Sequence, residues 1–484
     1  MVTLELPAAG AEAAETKEPD SAASATEFGE SFSHSSSSAE ENQYDNMQST
    51  VKVPDASSKW HAKARAFAGV GFMVSVGYMD PGNWATDLAA GAKYGYTLLT
   101  VVLASSLIAM FLQSLALKLG VATDRDLAQA CRHAYRPAVS RTLCCLLMWC
   151  DVFLRVLMEL AIAATDLAEL IGSATALYLL FRIPIWAGVL ITGVDVLLIL
   201  MFSGRSMRII EAIVFLMVAL IAACFAVQLA AVQPNWSDVG RGFIPSGQIV
   251  TDPDVLYLAI GIMGATVMPH NLFLHSSSIQ TRAYPRDDKG RAMAVRYGRI
   301  DVMFALLCAF YVNAAILILS AAAFHYSANP NKDITDITEA YKLLTSATGQ
   351  RGAEILFGIS LLASGQSSSI TGTLSGQIVM GGFVNMRIKP WQRRLITRSI
   401  AMIPAAIVAA VSGNKGAGQL LVLSQVILSL TLTFAVVPLV HITSTRAKMG
   451  RFVNNWVVTI IAAAIATIIG GLNFFLVIQA IRSA

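Results

Sequence analysis

Two short polar segments interrupt apolar stretches of the chain and carry side chains that can bind a cation. In the first, Asp80 and Asn83 flank a Pro-Gly pair, and in the second Met268 precedes Pro269. Because proline and glycine disrupt helices, we expect unwound backbone here, with freed carbonyl oxygens such as that of Ala265. Carboxylate, amide and carbonyl oxygens suit Mn²⁺ or Fe²⁺, and a thioether favours softer transition metals over Mg²⁺ or Ca²⁺. The residue types therefore predict a site for a divalent transition-metal ion.

Met268 and Gln425 also have structural interpretations. Met268 is one of 18 methionines, and a single Met in a membrane helix usually fills an apolar gap. Its place beside a second interrupted helix favours the role of ligand instead. Gln425 lies in a later apolar segment, where its amide could reach the same ion or bond a neighbouring helix.

A third apolar segment carries Glu159, Asp166 and Glu169, separated by seven and then three residues. These spacings are about two turns and one turn, so the three carboxylates share a helix face. Carboxylates inside a membrane usually face a cavity or a partner, and they often relay protons. Three arginines before or within a later apolar segment are candidate partners: Arg393, Arg394 and Arg398. An ion pair of Glu169 with an arginine and a proton pathway both remain open.

The composition identifies the elements that must position these residues. Of 484 residues, 55% are hydrophobic and 14% are charged, whereas soluble domains have about 45–50% and about 25%. A membrane-spanning helix needs about 20 apolar residues, which predicts a multi-pass integral protein in a lipid bilayer. Eleven segments qualify: 66–91, 97–118, 143–171, 184–203, 209–231, 254–279, 298–323, 352–383, 394–412, 417–441 and 453–479.

The distribution of charge predicts the orientation of the chain. Lys and Arg cluster before the first segment and in the even-numbered loops, which places the N-terminus in the cytoplasm and Ala484 outside it. Residues 1–58 are acidic and serine-rich, which predicts a disordered cytoplasmic tail ahead of a transport domain at 59–484. The plasma membrane is the default location. The net charge of +4 gives no reason to expect a nucleic-acid partner.

The two interrupted segments are the first and the sixth, so each begins a block of five helices. Interrupted helices at matching positions of two halves are typical of a transporter with inverted repeats. No phosphate-binding glycine loop or nucleophile elbow occurs in the sequence. We therefore expect neither an ATP-driven protein nor an enzyme, and no cofactor.

Three motifs together resemble the Nramp family of proton-coupled divalent metal transporters, from about Ala66 to the end of the chain. They are Asp80-Pro81-Gly82-Asn83, Asp166-Leu167-Ala168-Glu169 and Met268-Pro269-His270-Asn271. The resemblance implies an all-α, LeuT-like fold of two inverted five-helix repeats and an eleventh helix. It also implies import of Mn²⁺ and Fe²⁺ with protons, with Cd²⁺ and Co²⁺ as further substrates.

The resemblance assigns roles to individual residues. The ion would be bound by Asp80, Asn83, the Ala265 carbonyl and Met268, joined by Gln425 in some conformations. The family pattern places the proton route along Asp80, His270, Glu159, Asp166, Glu169 and the pair Arg393 and Arg394, and Arg398 is a further candidate. His270 also suits a pH-dependent role because the unperturbed pKa of histidine is about 6.5.

The chain departs from many relatives at two positions. Gly381 replaces an acidic residue and Thr433 replaces a proline. Neither is expected to touch the ion, so the departures bear on rate or conformational coupling. Relatives that moved to Mg²⁺ or Al³⁺ lack the thioether, whereas Met268 is present here.

Proton-coupled import of Mn²⁺ and Fe²⁺ by alternating access is the leading hypothesis. A membrane metal sensor that has lost transport is the first alternative, and the intact ligand set speaks against it. A sodium-coupled amino-acid carrier of the same fold is the second. Such a carrier would have no use for Met268.

Overall fold

A computed structural model describes residues 49–54, 58–134, 141–203, 207–327, 337–348, 352–383 and 390–483. Within these ranges the side chains at 141–155, 195–203, 390–395 and 412–419, and at a few other helical positions, lie outside the description. Most of the predicted tail therefore falls outside the described residues, as do the side chains of Arg393 and Arg394.

The described part of the chain is almost entirely helical. The first half contains α1 (Trp60–Phe67), α2 (Val70–Ser75), α3 (Pro81–Tyr94), α4 (Leu99–Thr123), α5 (Leu127–Ala134), α6 (Arg141–Phe181), α7 (Ile185–Ser203), α8 (Met207–Val232), α9 (Trp236–Gly242) and α10 (Gln248–Thr251). The second half contains α11 (Pro253–Thr266), α12 (Pro269–Ser278), α13 (Asp288–Ser320), α14 (Ile337–Thr348), α15 (Ala353–Phe383), α16 (Pro390–Ser444), α17 (Arg446–Met449) and α18 (Trp456–Ser483).

The described residues include seven helical segments long and apolar enough to cross a membrane. Two shorter apolar helices, Ile185–Val194 and Arg398–Val411, accompany them. The first predicted span is divided among α1, α2 and α3, so no single helix there has the required length. The eighth, α15, is a continuous helix whose apolar character is diluted by serine, threonine and glycine. The chain is an integral membrane protein.

The first predicted span unwinds at Asp80, as its Pro-Gly pair indicates. A 3₁₀ turn, Val76–Met79, follows α2, and Asp80 itself is extended, with φ −67° and ψ 165°. Asp80 is then the N-cap of α3, and Pro81 occupies its first position. Aspartate and proline are both favoured at these positions, because the carboxylate accepts from free N–H groups and proline has no N–H to lose.

The sixth predicted span has the matching interruption. The helix α11 ends at Thr266, Val267 is non-helical, Met268 is extended, and α12 begins at Pro269. Pro269 cannot continue the hydrogen-bond ladder of α11, which frees the carbonyl groups just before it. Both predicted interruptions of helix are confirmed, and both lie within buried backbone.

The ninth and tenth predicted spans are joined in α16, whose helical backbone includes the 412–419 stretch predicted as a loop. Both halves contact α6. In the first half Arg398 bonds Asp166 and Ala409 packs in a cluster with Ala174, whereas in the second half Leu428 packs against Ala161. Both halves of α16 thus pack on α6, and the predicted loop at 412–419 is helical.

Residues ahead of α1 also pack on the described domain. Strand β1 (Val51–Lys52) pairs in parallel with strand β2 (Arg282–Ala283), which follows α12. Val51 is buried, and Val53 packs against a cluster that includes Phe67 and Tyr284. These residues were predicted to belong to a disordered tail. The structure differs at 51–53, where Val51 and Val53 pack on the domain and β1 pairs with β2.

A buried ion pair links strand β2 to α8. The Arg282 guanidinium, which has no exposed surface, donates to Glu211 Oε1 at 2.8 Å. We expect Glu211→Ala to lower the free energy of unfolding by about 3–5 kcal/mol, because it leaves a buried cation uncompensated. Thermal unfolding of the purified protein in detergent measures the loss.

The exposed pair between Arg451 and Asp288, at 2.8 Å, is the matched control. Arg451→Ala should change the free energy of unfolding by less than about 1 kcal/mol, because solvent screens the pair. Equal losses in the two variants would contradict the structural role assigned to Arg282.

Candidate functional site

The predicted oxygen ligands meet where the two interrupted helices face each other. The Asn83 Nδ2 group donates to Asp80 Oδ1 at 2.7 Å and to the Ala265 carbonyl at 3.0 Å. The backbone N–H of Asn83 also donates to Asp80 Oδ1, at 2.9 Å. Asp80 and Asn83 are 1% exposed and Ala265 is fully buried. The structure thus brings together three residues that are up to 185 positions apart in the sequence.

The amide of Asn83 shows what kind of group fits between these oxygens. Its Nδ2 atom, which carries partial positive charge, bridges the Asp80 carboxylate and the Ala265 carbonyl. A cation placed there would meet the same two oxygens. Rotation of the amide by half a turn would then present Asn83 Oδ1 as a third oxygen ligand, since the two ends of an amide are nearly equal in shape.

Asp80 has spare binding capacity. Its Oδ2 atom is buried and has no hydrogen-bond partner among the described residues. A buried carboxylate is strongly unfavourable unless it is paired, protonated or bound to a metal. Asp80 is therefore chemically suited to bind either a cation or a proton.

Met268 is the N-cap of α12 and its side chain is fully buried. It packs in a small cluster with Ala161 and Ala164 of α6 and with Leu428 of α16. The thioether therefore lies among apolar groups, three residues after the Ala265 carbonyl.

Gln425 lies directly against the first interruption. A Cβ atom at Gly82 would collide with the Gln425 amide, so a larger residue at that position would displace the amide. Gln425 is 3% exposed, and its Oε1 atom has no partner among the described residues. The Gln425 amide thus lies beside Gly82, two residues after Asp80, and its oxygen is available for a further contact.

Two hydroxyl groups extend the polar site and were not predicted. Thr266 Oγ1 lies 3.5 Å from Asn83 Oδ1, and Ser105 Oγ donates to Thr266 Oγ1 at 3.3 Å. Thr266 follows Ala265 directly and could have been found from its place at the interruption. Ser105 is one of three serines in the largely apolar helix α4, and nothing in the sequence distinguishes it from the other two.

Arg398 pairs with the carboxylates of α6. Its guanidinium donates to Asp166 Oδ1 at 2.9 Å and lies 3.7 Å from Glu169 Oε2. Arg398, Asp166 and Glu169 are each at most 3% exposed, and Glu159 is half-buried on the same helix. The ion pair that was left open for Glu169 is therefore present in the structure. The side chains of Arg393 and Arg394 lie outside the described residues.

Two histidines of α12 contact different polar partners. His270 Nδ1 lies 3.1 Å from Thr165 Oγ1, next to Asp166 on α6. His275 Nδ1 lies 2.9 Å from Gln113 Oε1, and Gln113 Nε2 donates to the Tyr78 hydroxyl at 2.7 Å. His270 thus connects the second interruption to the acidic face of α6, whereas His275 belongs to a separate polar chain.

The departures at Gly381 and Thr433 have different surroundings. Gly381 is half-buried near the end of α15. Thr433 Oγ1 accepts from Asn473 Nδ2 at 2.8 Å, and the same Nδ2 donates to the Ser429 carbonyl at 2.6 Å. Asn473 of α18 therefore supports α16 at the turn where many relatives of the resembled family have proline.

A multi-carboxylate metal site is absent from the part of the chain that the structure describes. Those residues contain no group of three His, Cys, Asp or Glu side chains that could hold a metal ion together. A single carboxylate with neutral oxygen and sulfur donors would bind an ion less tightly, because fewer charged ligands lower affinity. Weak binding is what a carrier needs, since it must release its ion.

Comparisons with a family model, with curated proteins and with solved structures all point to the same family. The family described as natural resistance-associated macrophage protein-like, Nramp, matches residues 71–479. The divalent metal cation transporter MntH of Nostoc sp. is 51% identical over 432 residues, which cover 89% of this chain and 95% of that protein. The crystal structure of the Eremococcus coleocola manganese transporter in complex with an aromatic bis-isothiourea substituted compound is 39% identical, with a TM-score of 0.79 and 89% of each chain covered.

A more distant structure bears on the fold alone. Mhp1, a nucleobase-cation-symport-1 family transporter, is 12% identical with a TM-score of 0.55, over 86% of this chain and 92% of its own. The predicted LeuT-like fold, with its interrupted first and sixth helices, is confirmed by this likeness and by the helices described above.

Proposed function

The chain belongs to the Nramp family, and from that premise we propose that it transports divalent transition-metal ions across a membrane. The observation that carries the proposal is the convergence of Asp80, Asn83 and the Ala265 carbonyl on one point between the two interrupted helices. The names of the relatives support it, since they are a divalent metal cation transporter and a manganese transporter. Nothing in the site favours an enzyme.

Mn²⁺ and Fe²⁺ are the proposed substrates, with Cd²⁺ and Co²⁺ as further ions. Asp80, Asn83 and Ala265 supply oxygen ligands, and Met268 supplies the sulfur that favours these softer metals over Mg²⁺. Gln425 joins the ligand set as the halves of the protein move. Its unpaired Oε1 and its contact with Gly82 support this role.

Alternating access around the two interruptions is the proposed mechanism. Non-helical backbone at Asp80 and at Val267–Met268 separates each helix into two parts that can tilt independently. The ligands come from both interruptions, so a tilt of either part changes the coordination of the ion. Binding would thereby be coupled to the opening of one side and the closing of the other.

Protons are the proposed coupling ions. Asp80 and His270 lie at the interruptions, and His270 contacts Thr165 beside Asp166. The route continues along Glu159, Asp166, Glu169, Arg393, Arg394 and Arg398. Support comes from the buried Arg398 cluster, where a carboxylate can exchange a proton without leaving a bare charge.

Asp166→Asn tests the proton route. The amide keeps the shape of the carboxylate but cannot carry the proton, so we expect Mn²⁺ uptake to persist while coupled proton influx falls to the level of empty liposomes. A pH-sensitive dye inside proteoliposomes measures influx, and labelled Mn²⁺ measures uptake. Asp238→Asn, in an exposed extramembrane helix, is the control. Unchanged proton influx in Asp166→Asn would remove Asp166 from the route.

Orientation and location complete the proposal. We propose a cytoplasmic N-terminus, an extracytoplasmic C-terminus and a location in the plasma membrane; the basic residues at 282–299 and 446–451 support the orientation. The tail at 1–58 and the transport domain at 59–484 remain the proposed division of the chain.

Counterflow tests the proposed function. Proteoliposomes loaded with unlabelled Mn²⁺ should accumulate labelled Mn²⁺ above its external concentration, because a carrier exchanges one ion for another. The sensor hypothesis predicts no accumulation. Accumulation by a variant that lacks residues 1–48 would also show that transport does not need the tail. Failure of the full-length chain to accumulate Mn²⁺ would overturn the proposal.

A further inference from the structure

Asn271 lies one helical turn after Met268, in the first turn of α12. It has no exposed surface and it packs against Gly77 in the 3₁₀ turn before Asp80. A Cβ atom at Gly77 would lie 2.6 Å from Asn271 Oδ1, so a larger residue there would displace the Asn271 amide. The contact joins the two interrupted helices directly beside the proposed metal ligands.

The side-chain amide of Asn271 is unpaired at both ends. Neither Oδ1 nor Nδ2 has a hydrogen-bond partner among the described residues. By contrast, the amide nitrogen of Asn313, which is 1% exposed, donates to the Tyr78 carbonyl at 2.8 Å. Burial of an amide without hydrogen bonds is unfavourable, and an unsatisfied group of this kind calls for a functional explanation. In this conformation the Asn271 amide packs against Gly77 but forms no hydrogen bond with the described residues.

The position of the contact indicates when the amide is used. Gly77 precedes Asp80 by three residues and Asn271 follows Met268 by three. From Met268, α12 leads toward β2 and the basic loop on the proposed cytoplasmic side. The contact between Gly77 and Asn271 therefore closes the site toward that side. When the two helices separate there, the amide becomes the first polar group along the opening.

We propose that the Asn271 amide oxygen is a release subsite for the transported divalent ion, reached when its contact with Gly77 opens. The proposal rests on the proposed function. A neutral amide oxygen is a hard donor that binds Mn²⁺ or Fe²⁺ weakly enough for the ion to depart. The amide nitrogen can meanwhile donate to carbonyl oxygens of the separating 3₁₀ turn. Both unpaired atoms would then be satisfied in the state that releases the ion.

The proposal is tested by exchange of labelled Mn²⁺. The half-saturating Mn²⁺ concentration for exchange is measured separately on each side of the membrane. Full-length native protein, Asn271→Ala and Asn271→Asp are reconstituted in proteoliposomes sorted for one orientation. Asn271→Ala should raise the half-saturating Mn²⁺ concentration about tenfold on the N-terminal side and leave the other side within about twofold. Asn271→Asp, which adds a charged ligand, should lower it about tenfold on the same side only.

Asn313→Ala is the control, because it removes a buried amide that has a structural partner. Any loss there should affect both sides alike. For Asn271→Ala, equal shifts on the two sides, or no shift, would overturn the proposal. If that variant fails to fold, Asn271→Asp decides by the same side-specific comparison. Absence of exchange in the native protein would overturn the proposed function itself, and the subsite with it.

Discussion

Replacement of Asp80 by alanine is expected to lower Mn²⁺ uptake at least about 100-fold, because each 1.4 kcal/mol of lost ion binding costs a factor of about ten. Asp80 is the only charged member of the proposed ligand set, and the site is almost fully buried. Without it, none of the proposed ligands would carry a negative charge to offset the ion. Uptake of labelled Mn²⁺ into proteoliposomes measures the loss.

The same replacement should not destabilise the fold. Asp80 Oδ2 is buried and unpaired, so its removal relieves an unfavourable group while the loss of an N-cap has a modest cost of about 1 kcal/mol. Asp254→Ala, at an exposed N-terminal turn of α11, is the control and should transport normally. Unimpaired uptake by Asp80→Ala would show that the ion binds elsewhere.

Met268→Ala is expected to remove discrimination against Mg²⁺. In the native protein, excess Mg²⁺ should leave Mn²⁺ uptake nearly unchanged, because Mg²⁺ gains little from a thioether and holds its water tightly. With alanine, only oxygen ligands remain, and Mg²⁺ should compete at least about tenfold more effectively. Inhibition of labelled Mn²⁺ uptake by increasing Mg²⁺ measures the change.

Met449→Ala separates this effect from loss of packing. Met449 is 2% exposed in α17, outside the interrupted helices. Both replacements remove a buried side chain and should cost about 2–5 kcal/mol of stability. Only Met268→Ala should change competition by Mg²⁺. If the two variants respond alike, Met268 fills space and does not select the metal.

The sequence predicted the centre of the site because its residues combine two signals. Proline and glycine at 81–82 and proline at 269 mark breaks that polar side chains alone would not reveal. Asp80 is at once an N-cap and a candidate ligand, so local helix chemistry and ion chemistry agree. The structure adds that the two breaks face each other, since Asn83 Nδ2 donates to the Ala265 carbonyl.

Other features depend on packing that a single sequence does not encode. Three arginines were equally placed to meet α6, and only the contacts show that Arg398 reaches Asp166 and Glu169. Thr165 and Asn271 each acquire their surroundings from another helix, so spacing along their own helices gave no indication. Strand β1 was missed because two valines in a polar segment are too weak a pattern.

The most direct test of the account is Mn²⁺ uptake by native protein in proteoliposomes under an inward proton gradient, with Mg²⁺ in large excess. We expect saturable uptake that Mg²⁺ does not suppress and that weakens when the gradient is collapsed. Equal transport of Mg²⁺ would contradict selection by the Met268 thioether. Transport of neither ion would contradict the transporter itself and leave the sensor hypothesis in its place.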